Sequence, residues 1–142
     1  MGIGNTTTSA AVAAALLGIG AEQVAGNGTG IDADSRARKA HLIDAALARH
    51  ALTRPGTSAE RILCAVGGLE TAAITGAIIT AAQRRLPILI DGFIVSVAAL
   101  TAVLLNPSCR PFLLSSHQSA EQGRRLVLEA LMCRRCSIWT SG

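Results

Sequence analysis

The sequence predicts an α/β fold: a partial, doubly wound parallel sheet with packed helices, incomplete as a domain. Three observations lead there. Helical segments alternate with two short apolar runs, Pro87–Asp91 and Phe112–Ser115, each bounded by turn residues, the pattern of parallel strands joined by helices. Hydrophobic residues make up 50% of the 142 and aromatics only 2%, so the core is built from small aliphatic side chains that pack in thin layers. The chain also opens on Met1-Gly-Ile-Gly-Asn-Thr-Thr-Thr8, a glycine turn leading into a helix, and such a turn ordinarily follows a strand. Two strands make a poor sheet, so the rest is expected from residues outside this sequence or from a partner chain.

The elements follow in order. In the opening turn, Gly2 and Gly4 permit close approach of backbone to a ligand, and Asn5, Thr6 and Thr7 are helix-capping residue types. An alanine-rich helix is expected over Ser9–Leu17, ended by Gly18-Ile19-Gly20. Glu22–Ala25 forms a short helical turn, and Gly26-Asn-Gly-Thr-Gly30 a glycine-dense loop. Asp34–Ala51 reads as a long amphipathic helix with Leu42, Ala45, Ala46 and Leu47 on its apolar face. Pro55-Gly56 marks a loop, and Ser58 caps a helix running to Val66. After Gly67-Gly68 comes a helix over Glu70–Arg85, where Gly76 predicts a close helix contact. Pro87–Asp91 has the signature of a strand covered on both faces. Phe93–Leu105 is a buried helix, Phe112–Ser115 the second strand, and a last helix runs from Ser119 or Ala120 to Leu131.

Function starts from the ends of these elements. Backbone N–H groups and the helix dipole make a helix N-terminus a receptor for anions, phosphate above all. The turn Gly4-Asn5-Thr6-Thr7 is such a start, and the loop containing Gly28 and Gly30 is a possible second cradle. Lys39 is the only lysine, placed soon after that loop, where it either meets a phosphate or simply faces water. In parallel sheets ligands bind at the carboxyl ends of strands. Those ends carry Asp91-Gly92, an acceptor for ribose hydroxyls or a plain turn, and Ser115-Ser116-His117, a general acid–base position or a helix cap.

Several classes are excluded. Net charge is +4, but the cations are scattered in Arg36/Arg38/Lys39, Arg84/Arg85, Arg124/Arg125 and Arg134/Arg135, on faces expected to be solvated. With no basic stripe and no interleaved aromatics, no nucleic-acid partner is expected. His41, His50 and His117 lack the spacing of a metal site, and Cys133-x-x-Cys136 has no second ligand pair, so no metal and no cofactor is expected. Leu86–Leu105 is long enough to cross a bilayer but is interrupted by Pro87 and Asp91-Gly92; a strand, a turn and a helix fit it better than a membrane span. No leader with a charged start precedes the first helix, and no disulfide framework is visible, so a cytoplasmic location is expected.

Taken together, the motifs Met1-Gly-Ile-Gly-Asn-Thr-Thr7, Gly28-Thr-Gly-Ile-Asp32, Ala37-Arg-Lys39, Ala65-Val-Gly-Gly-Leu-Glu70, Pro87-Ile-Leu-Ile-Asp-Gly-Phe93, Ser116-His-Gln-Ser-Ala-Glu121 and Leu128-Glu-Ala-Leu131 resemble, in order, the nicotinate-nucleotide–dimethylbenzimidazole phosphoribosyltransferase family of cobalamin biosynthesis. The resemblance implies a homodimeric, doubly wound α/β enzyme. Its reaction moves the phosphoribosyl group of nicotinate mononucleotide to 5,6-dimethylbenzimidazole, giving nicotinate and α-ribazole 5′-phosphate. It implies that Gly2, Gly4, Asn5, Thr6, Thr7, Gly28, Gly30, Lys39, Ser116 and His117 surround the phosphate and ribose, with Asp91 and Gly92 lining the same cleft.

The sequence also departs from that family. The family's glutamate immediately before the residue matching Met1 is missing. So is the Gly-Glu-Gly-Thr-Gly motif whose glutamate is the general base. Residues 1–131 are therefore expected to be part of the large α/β domain, truncated at both ends and inactive alone, and residues 132–142 a divergent, disordered tail. The alternative is a non-catalytic nucleotide-binding or subunit-interaction module.

Overall fold

Alanine, the best helix former, dominates the first helix, and its small side chains let neighbours close in from every side. The structure, a computed structural model, describes residues 4–25, 33–115 and 122–132. Helix α1 spans Asn5–Leu17, and six consecutive residues, Ser9 to Ala14, are buried. A helix buried all round is an interior helix. The same holds for α6 (Phe93–Leu105), which buries every residue from Ser96 to Val103. Around these two sit α2 (Ala21–Val24), α3 (Ala33–Arg49), α4 (Ala59–Val66), α5 (Leu69–Gln83) and α7 (Gln122–Met132). Helix α6 packs against α5, α7, α1 and α4, and α1 also against α3. Two polar pairs cross this core. Ser9 and Thr71 hydroxyls meet at 3.4 Å, and Thr75 Oγ1 donates to Thr71 O and Ala98 O at 2.8 and 3.3 Å.

The sheet is parallel, as expected. Strand β1 (Ile88–Ile90) pairs with β2 (Leu113–Ser115) in the register Ile88↔Leu113, Leu89↔Leu114, Ile90↔Ser115. Helix α6 and a 3-10 turn at Pro107–Phe112 connect them. The turn follows from Asn106, whose side chain accepts from Ser108 N at 3.1 Å, and from Pro107 at the first helical position.

Several expectations need correction. Strand β1 is not covered on both faces. Ile90 is fully buried, but Leu89 is 67% exposed and its partner Leu114 is 54% exposed, because the described helices cover one face only. Helix α1 begins four residues before Ser9. Asn5, Thr6 and Thr7 lie inside its first turn rather than capping it, and Gly4, at φ 94°, holds the cap position. That left-handed conformation suits glycine best among these residues, so the chain turns there. In α3 the apolar face is shifted. Leu42 is 65% exposed and Ala45 is exposed, whereas Ala40, Ile43 and Leu47 are buried. The stripe with small Ala40 wins because it lets α3 approach the alanine-lined α1. Gly76 marks no close contact; nothing lies within 4 Å of where its Cβ would stand. Helix α5 buries the stripe Thr71, Thr75, Ile78 and Ala82, which leaves Gly76 outward. Ser58 caps α4 as expected, accepting from Arg61 N at 3.3 Å. The final helix runs to Met132, the first residue of the expected 132–142 tail; residues 133–142 lie outside the described residues.

Helices α3 and α5 end alike. Leu52 N reaches Leu47 O and Ala51 N reaches Ala48 O; Leu86 N reaches Ala81 O and Arg85 N reaches Ala82 O. These are Schellman endings, which place one residue in the left-handed region. Here those residues are Ala51 (φ 53°) and Arg85 (φ 59°). A side chain there costs about 1 kcal/mol. Arg85→Gly is therefore expected to raise stability by about 0.5 kcal/mol, read as a higher urea midpoint at unchanged slope.

Candidate functional site

The candidate site begins at the N-terminus of α1. Among the described residues no side chain caps this helix, and its first turn holds no acid. The same is true of α6, which starts at Gly92, and no acid stands in the first turn of α7. By contrast α2, α3, α4 and α5 carry Glu22, Asp34, Glu60 and Glu70 in their first turns. A carboxylate there complements the helix dipole, so omitting it leaves the positive end for an anion. Helices α1 and α6 start at the sequence-predicted site segments Gly4–Thr7 and Asp91-Gly92.

Lys39 comes to this place. Its Nζ donates to Thr6 Oγ1 at 3.1 Å, across 33 residues of sequence. Lys39 thus touches the first turn of α1 on the exposed surface. One turn earlier on α3, Arg36 donates from Nε to Ala25 O at 2.9 Å and from its terminal nitrogen to Glu22 O at 3.1 Å. It anchors the chain just before the glycine-dense loop.

Asp91 and Gly92 stand at the carboxyl end of β1, both exposed. Asp91 Oδ1 lies 3.6 Å from a guanidinium nitrogen of Arg124, whose side chain is 2% exposed. This corrects the expectation that the arginines sit on solvated faces. Sequence reasoning missed both Arg36 and Arg124, yet the signal was present. Arg36 falls in phase with the buried Ala40, Ile43 and Leu47, and Arg124 with Val127 and Leu131. An arginine on an inward stripe must reach a partner there.

Of the predicted site residues, the structure describes Gly4, Asn5, Thr6, Thr7, Lys39, Asp91 and Gly92; Gly2, Gly28, Gly30, Ser116 and His117 lie outside the described residues. Thr6 and Lys39 are brought into contact. Among the described residues no group of three His, Cys, Asp or Glu is placed to hold a metal. Cys109 is buried, and desolvation pushes its thiol up from the ordinary range, which keeps it a packing residue. A cavity of about 590 Å³ opens elsewhere, lined by Gly18, Asp44, Leu52 and Arg54 among others. It sits at the carboxyl ends of α1 and α3, roughly 20 Å along α1 from Thr6. It is not part of this site.

A family model described as phosphoribosyltransferase matches residues 1–137. The chain belongs to this phosphoribosyltransferase family. The resemblance carried by the ordered motifs is borne out. A nicotinate-nucleotide–dimethylbenzimidazole phosphoribosyltransferase from Bradyrhizobium diazoefficiens is 73% identical over 131 residues, 92% of this chain and 37% of that protein. One of the same name from Pseudomonas fluorescens is 52% identical over the same shares. The crystal structure of CobT from Thermus thermophilus superposes with a TM-score of 0.85 at 43% identity, covering 92% of this chain and 38% of that one. This phosphoribosyltransferase chain thus spans about 37% of the length of the curated relatives it matches. Its partial α/β architecture is that of the family. No helix among the described residues is long and apolar enough to cross a membrane, and the Leu86–Leu105 stretch is divided between β1 and α6.

Proposed function

We propose that this chain carries the phosphate and ribose grip of an enzyme that transfers the phosphoribosyl group of nicotinate mononucleotide to 5,6-dimethylbenzimidazole, in assembly of the cobalamin nucleotide loop. The observation that carries the reading is the 3.1 Å contact between Lys39, the sole lysine, and Thr6 in the acid-free first turn of α1. An ammonium beside a helix N-terminus is a phosphate receptor: the amides orient the oxygens, and the cation supplies charge. The relatives' printed names specify the two substrates.

Displacement at the anomeric carbon develops positive charge on the ribose, so the protein must fix the phosphate, orient the incoming azole and take its proton. In this reading Gly2, Gly4, Asn5, Thr6, Thr7, Gly28, Gly30 and Lys39 hold the phosphate. Asp91, Gly92, Ser116 and His117 line the ribose. The proton needs a carboxylate base, and Glu129 does not serve, being ion-paired with Arg125 at 3.5 Å on the surface. In this reading the chain by itself binds the nucleotide but does not turn it over. A cytoplasmic location is part of this reading. A homodimer is the working assembly in this reading, with no nucleic acid and no membrane involved.

Titration calorimetry tests it. Lys39→Ala is expected to weaken nicotinate mononucleotide binding by roughly 10- to 100-fold, the range for loss of one charge-assisted contact, with thermal stability unchanged. An unaltered Kd overturns the reading.

A further inference from the structure

Arg124 is the largest of the fully buried side chains among the described residues. Taking a guanidinium out of water is costly unless it is paired, so its seat requires a reason. Its ion-pair partner Asp91, 3.6 Å away, is 67% exposed. The ion pair engages one carboxylate oxygen, and the Asp91 side chain is largely exposed at the carboxyl end of β1. The docking of α7 is equally fixed. A Cβ on the adjacent Gly123 would stand 2.9 Å from Val24 O and 3.3 Å from the Phe93 ring. Val24 leads through Ala25 to the glycine-dense loop, and Arg36 on Ala25 O leads along α3 to Lys39 and Thr6. Helix α7 thus packs against α2, and Arg36 ties the end of α2 to α3, the helix that carries Lys39.

We propose that Arg124 is a positioning residue for the ribose: from its buried seat it fixes the Asp91 carboxylate as the acceptor for the vicinal hydroxyls of a bound ribonucleotide. The proposal rests on the phosphate-binding reading of Lys39 and α1. A free carboxylate side chain would lose rotamer freedom on gripping two hydroxyls; one already held does not. The guanidinium also offsets the carboxylate's charge, which lowers its repulsion of an anionic nucleotide.

The test compares two probes, nicotinate mononucleotide and inorganic phosphate, by calorimetry on the full chain and its variants. Arg124→Met is expected to weaken the nucleotide about 10-fold and leave inorganic phosphate unchanged. Arg124→Lys is expected to recover most of that loss. Asp91→Asn, a change at an exposed side chain, should give the same loss, and Asp91→Asn with Arg124→Met no more than either alone. Asp91→Asn carries the test if Arg124→Met does not fold. Backbone amide exchange at Gly92 and Phe93 should quicken in Arg124→Met. Equal weakening of both probes, additive losses or unchanged exchange overturns the proposal. An unsubstituted chain that binds neither probe sinks the parent reading together with it. Phosphate binding with an unmoved nucleotide-to-phosphate ratio sinks the ribose role alone.

Discussion

Gly123→Val is expected to lower the free energy of unfolding by about 3 kcal/mol. Glycine at this position lets α7 touch the backbone of α2 directly. A first side-chain carbon would stand 2.9 Å from Val24 O and 3.3 Å from both Val24 Cα and the Phe93 ring. The obstacle is mostly main chain, which cannot rotate away as a flexible side chain would. Valine adds two branches to the same collision, and a β-branched residue has little rotamer choice in a helix. Urea denaturation measures the effect. Gly76→Ala is the control, because open space surrounds that position; it is expected to stabilise by about 0.5 kcal/mol through helix propensity. An unchanged midpoint in Gly123→Val refutes the docking of α7 on α2.

The second large effect concerns the phase of α3. Ile43→Ala is expected to cost about 3 kcal/mol, while Leu42→Ala stays within about 0.5 kcal/mol of the parent. Ile43 is 1% exposed against the core, and its neighbour Leu42 is 65% exposed. The two side chains are nearly equal in volume and adjacent in sequence, so intrinsic helix preference contributes little to the difference. What remains is burial. Equal losses from the two substitutions would place the helix in the other phase.

These positions also show how far the sequence alone could be read. Long apolar helices and strands bounded by turn residues were legible, because their signals are local: α6, β1, β2 and the Ser58 cap of α4 follow from a few adjacent residues. The phase of α3 was not, because alanines in both stripes give each face a similar local pattern, and only the approach of α1 decides between Ala40 and Ala45. The single face of β1 left open was illegible for the same reason: what covers Leu89 is a property of neighbours, not of the run Ile88-Leu-Ile90. At the site, Lys39 and the turn Gly4–Thr7 were both singled out, but their contact spans 33 residues and appears only once the chain is folded. Arg124 was missed by counting it with the surface cations, although its helical spacing from Val127 and Leu131 pointed inward.

The ribbon formed by β1 and β2 has a practical consequence. Leu89 and Leu114 stand side by side in water, and the outer rims of the two strands have no further strand beside them among the described residues. Such a rim is a template for any extended polypeptide that drifts past, other copies of the same molecule included. Crowding the chain to millimolar levels therefore favours self-adhesion along this flank, and a lysine in place of Leu89 is the simplest way to keep concentrated solutions clear.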